Sequence, residues 1–202
     1  MKNLTVLVLS IAFCNIAFAG PSTFVEGGLI IGGENGQNGS NEQGGLEVTG
    51  AFAFKGNWYA GGNLGRYTRE TGAGDIDNTY VNFNGGRYFP MTDKVDLFLE
   101  GGLWFGEQDN PGGSTNDPSA IEGKVGVNGK ITDKFSLFGT ISLAAGDLDT
   151  GGNDTLRDFI WSAGGAYAFT NTFSMNVKVV EGANGVNGQS DVARIGFRWT
   201  FK

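Results

Sequence analysis

Apolar and polar residues alternate with a period of two, in segments of about ten residues, from Phe24 to the end of the chain. No window of this stretch keeps apolar residues at helical spacing, so the sequence predicts an all-β chain. Clusters of Gly, Asn and Asp separate the segments, as turns separate strands. Ten strands are predicted, over residues 24–31, 46–54, 58–64, 79–89, 95–105, 121–131, 135–145, 158–169, 173–179 and 193–201.

The connections between these strands alternate in length. Short turns are predicted at Lys55–Asn57, Pro90–Lys94, Thr132–Lys134 and Thr170–Thr172, where we expect the Asp and Asn side chains to accept hydrogen bonds from the backbone just ahead. Long connections rich in Gly, Asn and Asp are predicted at 32–45, 65–78, 106–120, 146–157 and 180–192. Alternating long and short connections are typical of an up-and-down meander whose two rims differ.

One face of the predicted strands is apolar, aromatic or Gly, with Thr79 and Arg87 as the exceptions. The other face consists mostly of small residues, whereas the polar surface of a soluble barrel carries many long charged side chains. Small side chains suit the inside of a narrow closed sheet, and aromatic residues gather near the strand ends, as in membrane girdles. The pattern predicts a closed, antiparallel, up-and-down transmembrane β-barrel of ten strands, with eight or twelve strands as alternatives.

The beginning of the chain has the features of a secretory signal peptide. Lys2 precedes an apolar stretch over 4–18, and Ala17 and Ala19 occupy the positions that a signal peptidase reads. A transmembrane helix is the alternative, but the stretch is short for a bilayer core of about 30 Å. We therefore expect a signal peptide over 1–19, which contains the one cysteine, Cys14, and a single barrel domain over 20–202.

Charge and composition exclude several functions. The net charge of −7 disfavours a nucleic-acid partner, because binding to phosphate backbones needs a basic surface. The chain has no His, which removes imidazole catalysis and most zinc sites and leaves paired carboxylates as the remaining acid–base groups. Most acidic residues lie in the long connections. The inward face carries Glu26, Glu47, Asp96, Glu100 and Glu122 together with Lys124, Lys130, Lys178, Arg194 and Arg198.

This balance of charge has two interpretations. Carboxylates and cations on neighbouring strands can pair, because an isolated charge in a narrow interior is costly. Closure of the barrel then makes Glu26 a partner of Arg194 or Arg198. Alternatively, walls of unlike charge line a thin, water-filled channel. A strand count of ten lies between small filled barrels and large open ones, so it does not choose between the two.

One acidic connection resembles part of a calcium-binding loop. Its carboxylates follow an incomplete version of the spacing that oxygen ligands of calcium require, because Gly151 stands at the fifth position. A solvated acidic loop is the alternative, and no other metal site is predicted. The weak calcium candidates are Asp147, Asp149, Asp154 and Asp158.

The last predicted strand contains a polar residue, a Gly two positions later and aromatic residues at alternate positions near the end of the chain. Arg194, Gly196, Trp199 and Phe201 form this pattern, followed by Lys202. It is similar to the assembly signal of small bacterial outer-membrane β-barrel proteins, a superfamily that includes OmpA-like and porin-like barrels and whose members usually end at the final aromatic residue. The resemblance assigns Gly196, Trp199 and Phe201 to that signal.

The resemblance implies an outer-membrane protein of a Gram-negative type of bacterium, with extracellular loops and periplasmic termini. Its implied partners are outer-membrane lipid and lipopolysaccharide, the barrel assembly machinery, and small solutes or ions. We expect no enzymatic activity and no cofactor, because the outer-membrane barrel enzymes that this chain resembles use His, which it lacks. The expected function is a small porin-like channel for passive, weakly cation-preferring passage of small solutes. The alternative is a non-conducting structural or surface-interaction barrel of adhesin-like, ion-binding or lipopolysaccharide-binding character.

Overall fold

Eleven β-strands make up the regular structure of the chain in a computed structural model that describes residues 22–36, 39–147, 155–182 and 192–201. Among these residues, no helix is long and apolar enough to cross a membrane. The predicted signal peptide lies outside the described residues. The strands are β1 (Thr23–Gly36), β2 (Gly39–Ala53), β3 (Trp58–Thr71), β4 (Gly74–Pro90), β5 (Val95–Asp109), β6 (Thr115–Asn116), β7 (Ser119–Lys130), β8 (Phe135–Asp147), β9 (Thr155–Ala168), β10 (Phe173–Gly182) and β11 (Val192–Phe201).

The sheet closes into a barrel of ten antiparallel strands, which confirms the predicted fold class and strand number. Each long strand pairs with its neighbours in sequence, and β1 pairs with β11 from Thr23 opposite Phe201 to Gly32 opposite Val192. The two-residue strand β6 pairs only with the end of β5 and stands outside the barrel wall. Closure gives every long strand a hydrogen-bonding neighbour on both sides, as hydrocarbon surroundings require.

The large apolar side chains point out of the barrel, as the alternation predicts. Ile141 is 49% exposed and Phe197 is 48% exposed, and Leu46, Phe83 and Leu143 are more exposed still. A continuous apolar outer surface of this size would be unfavourable in water and matches the lipid-facing band of a membrane barrel.

Aromatic residues near the short turns form a stacked band on the outer surface. The Phe173 ring centroid lies 5.7 Å from that of Phe169, 6.1 Å from Phe197 and 6.0 Å from Trp199. The band explains Arg87, one of the two exceptions on the apolar face. Its guanidinium carbon lies 5.5 Å from the ring centroid of Trp58 and 5.3 Å from that of Phe89, so the cation rests on aromatic faces.

The four short turns lie at one end of the barrel, here called the turn rim. The first turn needs the left-handed region at Gly56 and Asn57, with φ of 82° and 66°. In the other three, the structure corrects the expected hydrogen-bond acceptors. The side-chain acceptor is a threonine hydroxyl, not Asp or Asn: Thr92, Thr132 and Thr170 each accept from the backbone N–H groups two and three residues ahead.

The opposite end is called the loop rim, and two of its predicted long connections are wrong. Most of 32–45 and 65–78 belongs to strands, because β1 and β2 stay paired to Gly36 opposite Gly39, and β3 and β4 to Thr71 opposite Gly74. Their Gly, Asn and Asp residues weaken the apolar alternation without breaking the ladder. The predicted connection over 106–120 is shortened, since β5 reaches Asp109 and β7 begins at Ser119.

Inside the barrel, each of four aromatic rings packs on a glycine directly opposite it on the adjacent strand. A Cβ at Gly126 would lie 2.3 Å from the Phe98 ring, and one at Gly65 would lie 2.5 Å from the Tyr80 ring. The small residues of the inner face therefore accommodate flat aromatic rings, and they do not simply leave the lumen empty. The four pairs are Tyr59 with Gly86, Tyr80 with Gly65, Phe98 with Gly126, and Phe138 with Gly164.

Gly126→Ala tests this packing. The added methyl group would meet both the Phe98 ring and, at 2.9 Å, the backbone oxygen of Gly139, so we expect the free energy of unfolding to fall by about 1–3 kcal/mol. Urea unfolding of the protein refolded in lipid vesicles measures the change. Gly123→Ala on the same strand is the matched control, because a Cβ there has nothing within 4 Å. Equal stability of the two variants would contradict the packing argument.

Candidate functional site

A cavity of about 410 Å³ occupies the interior of the barrel and extends to the turn rim. Turn residues such as Lys94 and Asp133 line one end of it, and Tyr80, Trp104 and Ile160 line the other. Polar and aromatic side chains share its wall. Nine of the ten predicted lumen charges line this cavity, namely Glu26, Asp96, Glu100, Glu122, Lys124, Lys130, Lys178, Arg194 and Arg198, whereas Glu47 is buried behind Arg194.

The most buried ion pair joins β11 to β2 across β1. Arg194 Nη1 donates to both carboxylate oxygens of Glu47, at 2.9 and 2.7 Å, and the two residues are 9% and 7% exposed. Asn63 Nδ2 donates to the same carboxylate at 2.8 Å, and the Tyr80 hydroxyl donates to it as well. Four strands are tied together at this carboxylate, whose burial makes each of these partners necessary.

A second ion pair bridges the seam between the first and last strands. Arg198 Nε donates to Glu26 Oε2 at 2.7 Å, so Arg198 is the partner of Glu26, and Arg194 pairs elsewhere. The Arg198 guanidinium carbon also lies 3.9 Å from the ring centroid of Phe24. These contacts join β1 to β11 on the inner face, where Glu26 and Arg198 are directly opposite in the ladder.

The facing wall has its own ion pairs. Lys124 Nζ lies 2.7 Å from Glu100 Oε1 and 3.5 Å from Glu122 Oε1. The Tyr59 hydroxyl donates to Glu100 Oε2 at 2.7 Å, which links β3 to this group. The ion-pair interpretation of the lumen charges therefore accounts for most of the interior carboxylates.

At the turn rim, Lys130 Nζ lies 3.0 Å from Asp133 Oδ1 in the turn after β7. Hydrogen bonding from the Lys130 ammonium, together with its charge, lowers the pKa of the Asp133 carboxyl. Because this carboxylate is exposed, the pair is screened by water and salt and contributes little to stability.

Towards the loop rim, the lumen is filled by an apolar layer that the sequence analysis did not identify. Ile30, Tyr67 and Val192 are only 1–2% exposed and belong to one connected cluster. The members come from seven of the ten barrel strands, so the cluster spans the lumen. The apolar layer consists of Ile30, Tyr67, Tyr80, Ala144, Ile160, Val180 and Val192, with Trp104 packed against it.

The layer was missed because its residues straddle the ends of the predicted strands. Tyr67, Val180 and Val192 lie in predicted loops, where the alternation had been lost. Recognising that inward positions change from charged to apolar along each strand requires knowing that the strands continue. Val180 and Val192 are directly opposite in the β10–β11 ladder, a register that the sequence alone does not give.

Two of the weak calcium candidates, Asp149 and Asp154, lie outside the described residues. Asp147 is exposed at the end of β8, and Asp158 is buried on the inner face of β9. Within the described residues, no group of three or more His, Cys, Asp or Glu side chains could hold a metal ion.

The residues assigned to the assembly signal lie on β11. Gly196 faces the interior, and a Cβ there would lie 2.6 Å from Glu26 Oε1. Trp199 faces outward and packs on Phe173. Phe201 pairs with Thr23 at the seam. The role of these three residues in assembly stays a prediction.

Comparison with known proteins identifies the fold. No protein-family model matches the chain, and no curated protein matches its sequence. The chain is similar in structure to an outer membrane channel from Pseudomonas putida F1, with a TM-score of 0.55, 9% identity, and coverage of 92% of this chain and 96% of that one. It is also similar to the β domain of the Bordetella autotransporter BrkA, with a TM-score of 0.54, 12% identity, and coverage of 90% and 100%. The chain has the fold of outer-membrane β-barrels.

Glu47→Ala tests the buried ion pair. The substitution removes the carboxylate that pairs with the buried Arg194 guanidinium and leaves that charge without its partner. We therefore expect the free energy of unfolding to fall by about 3–5 kcal/mol. Asp77→Ala removes the exposed partner of Arg66, 3.1 Å away at the loop rim, and should cost less than about 1 kcal/mol. Urea titration of both variants in lipid vesicles makes the comparison. A Glu47→Ala protein as stable as Asp77→Ala would show that the buried pair contributes nothing.

Proposed function

We propose that this outer-membrane-type barrel is a small porin-like channel for passive passage of small solutes, with conduction controlled at the apolar layer. The observation that carries the proposal is the cavity of about 410 Å³, lined by charged and amide side chains, that reaches from the turn rim to this layer. Hydrophobic constrictions control conduction by excluding water until they widen. The proposal involves no enzymatic activity.

A weak preference for cations is part of the proposal and rests on the charge of the loop rim. Acidic residues there outnumber basic ones, which raises the local concentration of cations at the mouth of a pore. Among the described residues of this rim, the acidic residues are Glu34, Glu42, Glu70, Asp75, Asp77, Glu107, Asp109, Asp117, Asp147 and Glu181, and the basic ones are Arg66, Arg69 and Arg157.

We also propose that the protein lies in the outer membrane of a Gram-negative type of bacterium, with the loop rim outside the cell and both chain termini in the periplasm. The longer connections of outer-membrane barrels are extracellular and their short turns periplasmic. Outer-membrane lipid and lipopolysaccharide would surround the apolar band, and the barrel assembly machinery would act on β11.

A non-conducting barrel is the second candidate function. The observation that favours it is the same apolar layer, whose side chains are almost completely buried within the lumen. If the layer never opens, the protein would act through its rim surfaces, as a structural or surface-interaction barrel.

Planar-bilayer recording with the double variant Ile160→Ser, Val180→Ser distinguishes the two functions. Hydroxyl groups in the layer would admit water, so we expect single-channel conductance or open probability at least tenfold above that of the wild type. Ile160→Val is the matched control, since it keeps the layer apolar, and its recordings should resemble the wild type.

Single-channel steps in the wild type, enlarged in the double variant, would support the channel. Silence in both proteins, with folding verified by the heat-dependent gel mobility of an intact barrel, would reject conduction and leave the non-conducting barrel.

Cation preference has a separate test. In a salt gradient across the bilayer, the reversal potential of the double variant should show greater permeability to K⁺ than to Cl⁻. Asp109→Asn with Asp117→Asn should shift the reversal potential towards zero, because it removes two carboxylates from the loop rim. A reversal potential that already favours Cl⁻ would contradict the preference.

A further inference from the structure

Three hydrogen-bond donors on the inner face of β10 and β11 have no acceptor among the described residues. Asn176 is 5% exposed and its Nδ2 is unpaired, and Nε of the 9% exposed Arg194 is likewise unpaired. Within the part of the chain that the structure describes, Lys178 forms no direct ion pair, although the Glu47 and Glu26 carboxylates are near enough to attract its charge. Buried donors without acceptors are uncommon in proteins and call for a partner.

The three donors lie side by side on the wall of the cavity. Lys178 is directly opposite Arg194 in the β10–β11 ladder, and Asn176 is directly opposite Gly196. All three side chains line the cavity. Gly196 leaves room for the Asn176 amide beside the Glu26 carboxylate, since a Cβ there would lie 3.0 Å from Asn176 Nδ2 and 2.6 Å from Glu26 Oε1.

The charge of this wall is positive after pairing. On β10, β11, β1 and β2, Arg194 pairs with Glu47 and Arg198 pairs with Glu26. Lys178 remains as the one unpaired cation among the described inward residues of these strands. The Lys178 ammonium group lies beside the Asn176 amide and the Arg194 guanidinium, which still has a free N–H group within the described part of the chain. Such an arrangement of donors is suited to binding an oxyanion.

The opposite wall carries three packed aromatic rings beside its ion pairs. Tyr88 lies 5.1 Å from Tyr59 and 5.3 Å from Phe98, measured between ring centroids, and all three line the cavity. They belong to β3, β4 and β5, which face β10 across the barrel in the strand order. The volume of about 410 Å³ exceeds the needs of a single inorganic ion and lies in the range of small-molecule sites.

We propose that this cavity binds a small organic carboxylate, whose oxygens accept hydrogen bonds from Lys178, Arg194 and Asn176 and whose carbon skeleton rests on Tyr59, Tyr88 and Phe98. The site opens at the turn rim. Binding does not depend on conduction, because the ligand enters and leaves on the same side of the apolar layer.

Isothermal titration of the refolded protein in detergent micelles tests the site with benzoate as the probe. We expect saturable binding of one benzoate per chain, at least tenfold weaker binding by Lys178→Met, and recovery to within threefold of the wild type by Lys178→Arg. Lys130→Met is the matched control, since Lys130 also lines the cavity but is paired with Asp133. Its affinity should stay within twofold of the wild type.

Two further probes separate the parts of the proposal. Benzyl alcohol, which lacks the carboxylate, and inorganic phosphate, which lacks the carbon skeleton, should each bind at least tenfold more weakly than benzoate. Equal binding of benzoate by the wild type and Lys178→Met would overturn the site, as would the absence of saturable binding. Phosphate bound as tightly as benzoate would overturn its assignment to an organic ligand. None of these results depends on whether the barrel conducts in a bilayer.

Discussion

The need to satisfy every backbone hydrogen bond inside hydrocarbon is the constraint from which the rest of this structure follows. A sheet with an edge would leave N–H and C=O groups unpaired, at a cost of several kcal/mol each. Closing ten strands removes the edges and separates two environments. Along each strand, alternate side chains point outward, where most are apolar, and inward into one narrow tube. Interior charges must then find partners within that tube.

The interior meets this requirement with contacts between neighbouring strands. Glu47 receives donors from β3, β4 and β11, and Glu26 receives one from β11. Aromatic rings lie flat where the facing residue is glycine. The part of the lumen near the turn rim is thus polar and partly open, and the part near the loop rim is filled by the apolar layer. The two rims and the two walls of the cavity differ in character, although all are built from successive antiparallel strands.

Much of this organisation was predictable from the two-residue alternation and from composition, because these features depend on residues that are near one another in sequence. The strand centres, the two faces and the short turns belong to this class, and closure limited the partner of Glu26 to Arg194 or Arg198, of which the register selects Arg198. Features that depend on register were out of reach. The pairing of Gly126 with Phe98, of Glu47 with Arg194 and of Val180 with Val192 requires knowing how far each strand slides along its neighbour. The strand ends within 32–45 and 65–78 were missed because Gly and Asn residues there pair with the neighbouring strand but do not add to the alternation of apolar and polar residues.

Unequal strand lengths have a consequence for the outer shape of the molecule. β4 has 17 residues and β10, which faces it across the barrel, has 10. At about 3.3 Å per residue, the paired ribbon on the β4 side is roughly 20 Å longer. Because the short turns align the strands at the opposite end, the described part of β4 extends farther from the turn rim than the described part of β10. A molecule that arrives from solution at the loop rim on this side would therefore meet the edge-on ribbon of β3 and β4 before it reached the centre of the barrel.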